Sequence, residues 1–278
     1  MALKSRSHEM GMHTEQLAGR TQQRFFQPAE GENFVYPSAF DVDFNKRIEF
    51  DAAKLGTKDI NLKIRELMSQ GYGTIVVKNP GAKHAIGVGI LNRLQLYFEG
   101  SLGYFGCGLI DGPNVRVSGR VGWSCAENMM AGTVVIEKNA GSTFGAAIRG
   151  GDLVCKGDVG ARAGIDMKGG TIIIGGRAGA FCGFMMQRGR MVILGDAGIN
   201  LGDSMYDGTI YVGGKIAGLG VDAVPGEMTD LDCQWLERKL RQYDLKAPNG
   251  VAKMQKIVAG KKLWNYDNLE PTEKKIVL

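Results

Sequence analysis

"GDVGARAGIDMKGGTIIIGGRAGAFCGF", residues 157–184, decides the fold. Glycine this dense is either a phosphate-cradling loop or a backbone that turns again and again. The neighbouring sequence separates the two. Gly103, Gly122, Gly141, Gly160, Gly179 and Gly198 are each 19 residues apart. A second series stands three residues earlier, at Gly81, Gly100, Gly119, Gly157, Gly176, Gly195 and Gly214, broken only by Lys138. A third follows at Gly112, Gly132, Gly150/Gly151, Gly169/Gly170, Gly189 and Gly208. A phosphate loop occurs once, between a strand and a helix. Stations that recur in every unit are architecture, and no G-x-G-x-x-G or G-x-x-x-x-G-K-[ST] fingerprint occurs.

Between the glycine stations lie short apolar runs: TIVV (74–77), LQLYF (94–98), VRVS (115–118), TVVIE (133–137), LVCK (153–156), TIIIG (171–175), MVILG (191–195) and TIYVG (209–213). Their length and their Val, Ile, Thr and Tyr content specify strands. Asn-Gly hairpin turns are missing, and so is a leucine-rich pattern. The expectation is an all-β chain: a right-handed parallel β-helix of about seven 19-residue coils, with strands about 4.8 Å apart. Short capping helices and extended termini complete it. Glycine then sits where φ is positive or where adjacent coils leave no room for a Cβ. Small residues beside the glycines (Ala161, Ala163, Ala178, Ala180, Ala197) suit a narrow interior.

The flanks divide the chain into an N-terminal arm (1–56), a capping helix (57–73), the β-helix (74–220) and a C-terminal helix and tail (221–278). The first helix reads from Thr57 as N-cap through Ile60, Ile64, Leu67 and Met68 to a stop at Gly71. The second starts at Thr229, with Asp232 completing a capping box, and is expected to cap the other end of the stack. Phe25 and Phe26 in RFFQP (24–28) could anchor the arm on a partner, and Trp264 in the aromatic tail is a second candidate contact.

Composition fits a globular chain: 278 residues, 44% hydrophobic and 23% charged, with a net charge of +5 too small for a nucleic-acid footprint. The lysines of the C-terminal tail read as a solvated face. Five cysteines without C-x-x-C and three scattered histidines make no metal pattern. Cys125 and Cys182 are three coils apart, about 14 Å at the strand spacing, so no disulfide joins them. No long apolar run or secretory leader is present, which sets the expectation of a cytoplasmic chain away from membranes.

No catalytic, cofactor or metal residue stands out. Asp152, Asp158, Asp166, Asp196, Asp203 and Asp207 lie near turns, where Asp commonly bonds its own backbone. SCAENMMAGT (124–133) is the most individual coil, so Cys125, Glu127 and Asn128 join His84, at the station of Gly103, as candidate subunit contacts. Parallel β-helices also carry carbohydrate-active enzymes, but those build a groove from long insertions, whereas these coils are uniform from 100 to 214.

The coils, including KNAGSTFGAAIRGGDLVCKGDVGARAGIDMKGGTIIIGG, resemble the GXGXG domain. That domain ends the large subunit of glutamate synthase. A related domain forms one whole subunit of formylmethanofuran dehydrogenase and of the formyltransferase/hydrolase complex. The resemblance covers about residues 57–220. INLKIRELMSQGYGTIVVKNPGAKHAIGVGI looks more like the glutamate synthase branch, including stand-alone versions of the domain. Lys138 and the long arms depart from the pattern. The resemblance implies a structural subunit of a hetero-oligomer, without a cofactor of its own. It would bridge an amidotransferase-like subunit and a synthase-like subunit bearing FMN and an iron–sulfur cluster. N-methylglutamate synthase is a specific candidate. The formyl-transfer branch is one alternative and a β-helix carbohydrate enzyme the other.

Overall fold

The computed structural model describes residues 40–263, and Phe25, Phe26 and Trp264 lie outside them. The described residues form a parallel β-solenoid of about seven turns. Its spine is one sheet with strands in the order β1 (Asp43–Asp51), β2 (Tyr72–Lys78), β3 (Gln95–Glu99), β4 (Asp111–Val117), β5 (Ala131–Ile136), β6 (Asp152–Cys155), β7 (Lys168–Ile174), β8 (Arg188–Ile193) and β9 (Thr209–Val212), closed by β11 (Gln255–Ala259) and β10 (Ala223–Gly226). From β3 onward the partners Leu96, Val115, Val134, Leu153, Ile172, Met191 and Ile210 advance by 19 residues per coil. One-residue slippage would turn every inward side chain out, so this repeat locks the register. Leu96, Val134, Leu153, Ile172, Met191 and Ile210 are wholly buried, and Ile110, Met129, Ile148, Met167, Met186 and Met205 form a second buried column. A third, at the tight corner, is small: Val121, Ala140, Val159, Ala178 and Ala197 bridge in parallel from coil to coil. Ala163, Ala178 and Ala197 are interior, as the narrow core requires, whereas Ala161 and Ala180 are partly exposed.

The three glycine series have three different causes. The third carries the positive φ: Gly112 (105°), Gly132 (100°), Gly151 (82°), Gly170 (77°), Gly189 (101°) and Gly208 (103°). The first, from Gly122 to Gly198, has no such φ. A Cβ there would lie 2.5–2.8 Å from the preceding coil, from backbone in every case and, at Gly122 and Gly141, also from an aromatic ring. In the second, the obstruction is often a side chain from one coil below: Ser101 Oγ at Gly119 (2.4 Å), Asn139 Oδ1 at Gly157 (2.1 Å), Asp158 Oδ1 at Gly176 (2.3 Å) and Asp196 Oδ1 at Gly214 (2.4 Å). These oxygens are there because each accepts a backbone N–H 19 residues on. Ser101 accepts from Arg120 (3.1 Å), Asn139 from Asp158 (3.1 Å), Asp158 from Arg177 (2.7 Å) and Asp196 from Lys215 (2.7 Å). The expectation that Asp158 and Asp196 bond their own turns is thus corrected: they tie one coil to the next. Lys138 also finds its reason. The residue at the corresponding place one coil below it is Arg120, which has no acceptor oxygen to fill the space of a Cβ.

The wall opposite the sheet was not foreseen. In each coil three alternate residues take left-handed φ: Phe105 (58°), Cys107 (58°) and Leu109 (56°); then Ser124, Ala126 and Asn128; then Thr143, Gly145 and Ala147; and so on to Asn200, Gly202 and Ser204. Their amides point alternately up and down the stack. Phe105 donates to Trp123 of the next coil, Cys107 to Ile86 of the previous one and Leu109 to Glu127 of the next. A left-handed residue other than glycine costs about 1–2 kcal/mol. Here the conformation is what lets every such N–H reach a carbonyl, and an unpaired buried amide would cost as much or more. A fourth glycine series, Gly145, Gly164, Gly183 and Gly202, marks this wall in the sequence.

The flanks differ from expectation in three places. Residues Asp43–Asp51, read as part of an arm, are strand β1, paired in parallel with β2. Helix α1 (Thr57–Ser69) has Gly56, not Thr57, as N-cap. It buries Ile60, Ile64, Leu67 and Met68 against the first coil, as an end cap should, and Gly71 follows with φ 82°. Helix α2 (Asp230–Gln242) starts at Thr229 with its capping box, but it does not cap an end. It lies on the outer face of the sheet, where Leu236, Leu240 and Tyr243 cover Val154, Ile173, Val192 and Tyr211. Those outward strand positions are apolar, so a helix on the face removes more apolar surface than one at the end. Antiparallel β11 and β10 finish the sheet instead.

Candidate interaction surface

The strongest feature on the exposed wall is an aromatic ladder. His84, Tyr104 and Trp123 stand one above another on successive coils. The His84 and Tyr104 rings are stacked with centroids 4.6 Å apart, and Tyr104 and Trp123 follow at 5.3 Å, both nearly coplanar. Each ring lies over a first-series glycine of the next coil. A Cβ on Gly103 would meet His84 Nδ1 at 2.2 Å, one on Gly122 would meet Tyr104 at 2.5 Å and one on Gly141 would meet Trp123 at 2.5 Å. His84 also accepts the Tyr104 backbone N–H through Nδ1 (2.8 Å). The register there is 20 residues, not 19: Gly103 N–H meets Lys83 O, so His84 aligns with Tyr104 rather than with Gly103.

Beside the ladder the left-handed wall turns Phe105 and Leu109 outward. Phe105, Leu109, Tyr104 and Trp123 are all exposed, Trp123 by 57% and Leu109 by 56%. Large aromatic rings with half their surface in water, grouped on neighbouring coils, mark a contact surface rather than scattered apolar residues. From the next coil, Glu127 and Asn128 flank Leu109: its N–H donates to Glu127 O, and Asn128 keeps φ 53°. Both are partly exposed.

Cys125, proposed with them, is wholly buried inside the solenoid. It is removed from the contact surface, because residue 125 falls on the inward column with Phe144, Ala163, Cys182 and Leu201. Burial sets the thiol chemistry. Cys125 is raised well above the ordinary thiol range by its hydrogen bond with Cys107 and by desolvation. Desolvation pushes Cys155 up to about 12 and Cys182 up to about 11. The cysteines are free thiols, and no group of three metal-ligating side chains gathers among the described residues.

The carboxylates are engaged in structure. Asp152 accepts from Lys239 Nζ (2.5 Å) and from the Tyr243 hydroxyl (2.5 Å), pinning the end of α2 to β6. Asp232 pins the start, accepting from the Tyr211 hydroxyl (2.5 Å), Lys256 Nζ (2.7 Å) and Thr229. Burial pulls the Asp232 pKa upward, but these donors outweigh it and hold the carboxyl well below the usual carboxylate range. Burial and the neighbouring carboxylates raise the Tyr211 and Tyr243 phenols. Asp203 Oδ2 accepts the Val221 N–H (3.2 Å), and Asp166 bonds Lys168 and Gln187. No helix among the described residues is long and apolar enough to cross a membrane.

The structure brings His84, Glu127 and Asn128 to one wall. Tyr104, Phe105, Leu109 and Trp123 were missed. The signal was available: three aromatic rings occupy successive coils at the station where the later coils carry Ser142, Ala161 and Ala180.

Among known proteins, Protein GlxC of Rhizobium meliloti (strain 1021) is 47% identical over 60 residues, which is 22% of this chain and 26% of that protein. The match therefore spans about a quarter of the curated relative. A chain of the formyltransferase/hydrolase complex (FhcABCD) from Methylorubrum extorquens, solved with methylofuran, superposes with a TM-score of 0.58 and 20% identity, covering 78% of this chain and 92% of that one. At this identity the likeness is one of fold. The model of the GXGXG motif matches residues 57–228, more than half of the sequence, and the chain belongs to the GXGXG-motif family.

Proposed function

We propose that this chain is a structural, non-catalytic subunit of a glutamate synthase-like complex, in the manner of N-methylglutamate synthase. It would hold an amidotransferase-like subunit beside a synthase-like subunit that carries FMN and an iron–sulfur cluster, in the cytoplasm. The observation that carries the reading is the exposed His84–Tyr104–Trp123 ladder with Phe105 and Leu109, a surface built for another protein. Two further points support it. The chain's partly buried carboxylates are committed to holding coils and α2 together. A chain of similar fold is part of a multi-subunit complex.

The test is purification of the tagged chain from its native host. A flavin-bearing partner and an amidotransferase-like partner should appear in fixed ratio, both lost when Tyr104 and Trp123 are replaced by Ala. A metal-dependent amidohydrolase-like partner would instead favour the formyl-transfer reading, which rests on the fold of the solved neighbour. Cleavage of a sugar polymer by the chain alone would overturn both.

A further inference from the structure

We infer that strand β1 is a pairing edge for a second copy of this chain, joined antiparallel about a two-fold axis at Ile48. Among the described residues β1 is the outermost strand of the sheet, with a neighbour only on the β2 side. Seven of its nine residues are exposed. Backbone direction alternates along a strand. Ala52 donates to Lys78 O, so Ile48 and Phe50 also bond β2, while Arg47 and Glu49 turn their N–H and C=O groups outward. Those outward groups are what an added strand would take up.

Charge selects the occupant and the register. β1 reads Asp-Phe-Asn-Lys-Arg-Ile-Glu-Phe-Asp from 43 to 51. With Ile48 opposite Ile48 of the second copy, Arg47 faces Glu49 of that copy and Glu49 faces its Arg47. Both are hydrogen-bonded pairs, since both residues turn their amides outward. Asn45 then faces Asp51, and no like charges meet. Moving the axis to Arg47 would set Arg47 against Arg47 and Asp43 against Asp51, which is destabilising. The side chains are placed for the exchange. Glu49 bonds Lys78 through one oxygen (2.6 Å), leaving the other for an incoming guanidinium, and Arg47 lies on the same outer face, above the Tyr97 ring. Phe44 on β1 and Leu62 on the adjoining α1 are large apolar residues left exposed at this end. Charged edges deter indiscriminate strand pairing, yet a self-complementary charge order admits one partner.

Sedimentation velocity of the full chain, across a concentration series into the tens of micromolar, reads the pairing directly. The wild type is expected to form a dimer. Arg47→Glu and Glu49→Arg should each weaken it by about tenfold, because two symmetric pairs change from opposite to like charge. The Arg47→Glu/Glu49→Arg double variant should recover it. Glu49→Pro should abolish the dimer while leaving the fold intact, since it removes an amide that bonds nothing within the sheet. Circular dichroism reports that each variant is folded, and any one folded variant is informative. A wild type that stays monomeric overturns the inference. So does a dimer indifferent to the charge reversals and to the proline.

Discussion

Gly176→Ala is the sharpest test of how the coils are held. The added Cβ would lie 2.3 Å from Asp158 Oδ1, 2.8 Å from the Gly157 carbonyl carbon and 2.9 Å from the Asp158 backbone nitrogen. Asp158 has to swing away, which breaks its 2.7 Å bond to the Arg177 N–H. A hydrogen bond to a charged acceptor is worth about 1.5–3 kcal/mol, less where it is partly solvated, so about 1–1.5 kcal/mol is the share here. The remaining contacts are backbone and cannot rotate aside, and forcing a methyl into such packing costs about 1–3 kcal/mol. The expected loss is about 2–4 kcal/mol, a fall in Tm on the order of 10 °C for a domain of this size. Gly218→Ala is the control, since a Cβ there meets nothing within 4 Å and φ is not left-handed. It should stay within about 0.5 kcal/mol of wild type, or gain a little from a less flexible unfolded chain. Asp158→Ala with Gly176→Ala should cost less than the two single changes added together, because they break the same bond. Urea unfolding followed by circular dichroism measures all four proteins. A Gly176→Ala variant as stable as wild type would refute the claim that second-series glycines make room for the side chains of the coil below.

Other consequences follow from the same structure. Ellman titration of the native protein at pH 8 should leave Cys125, Cys155 and Cys182 unreacted, because burial keeps them protonated; all five cysteines should react after unfolding. Asp232→Asn should cost on the order of 2 kcal/mol near neutrality. The folded carboxyl is held below its unfolded value, so this contribution is complete above about pH 4 and disappears as the pH falls further through the folded value; urea unfolding from pH 7 down to pH 3 reads the convergence of wild type and variant. Lys138→Gly should fall within about 1 kcal/mol of wild type in the same assay, since Lys138 is exposed and Arg120 below it fills no space that a side chain needs.

The repeat was legible because glycine is needed for local, uniform reasons. Spacing of 19 recovers β3 to β9 and their register, since each strand answers to the same corner 19 residues earlier. The left-handed wall was not legible. Most of its positions are held by Phe105, Cys107, Leu109, Ser124, Ala126 and Asn128, whose φ is imposed by bonds to neighbouring coils rather than by their own preference. β1 was hidden because an edge strand with seven exposed residues shows no clean apolar alternation. The place of α2 was hidden because its sequence shows an apolar face but not which surface that face meets. The outward run Val135, Val154, Ile173, Val192 and Tyr211 was the available signal. The contact surface was half legible: the unusual coil at 124–133 points to Glu127 and Asn128, but nothing in its sequence shows that Cys125 faces inward.

The central claim is that this solenoid works by holding other subunits. Its most direct measurement is the composition of the native assembly, by mass spectrometry of the intact complex together with its flavin spectrum. The expected result is a species larger than the chain alone, with a flavin-bearing subunit and an amidotransferase-like subunit in whole-number ratio, and its loss on replacing Tyr104 and Trp123. A flavin-free chain that sediments without any other subunit from its native host would contradict the claim.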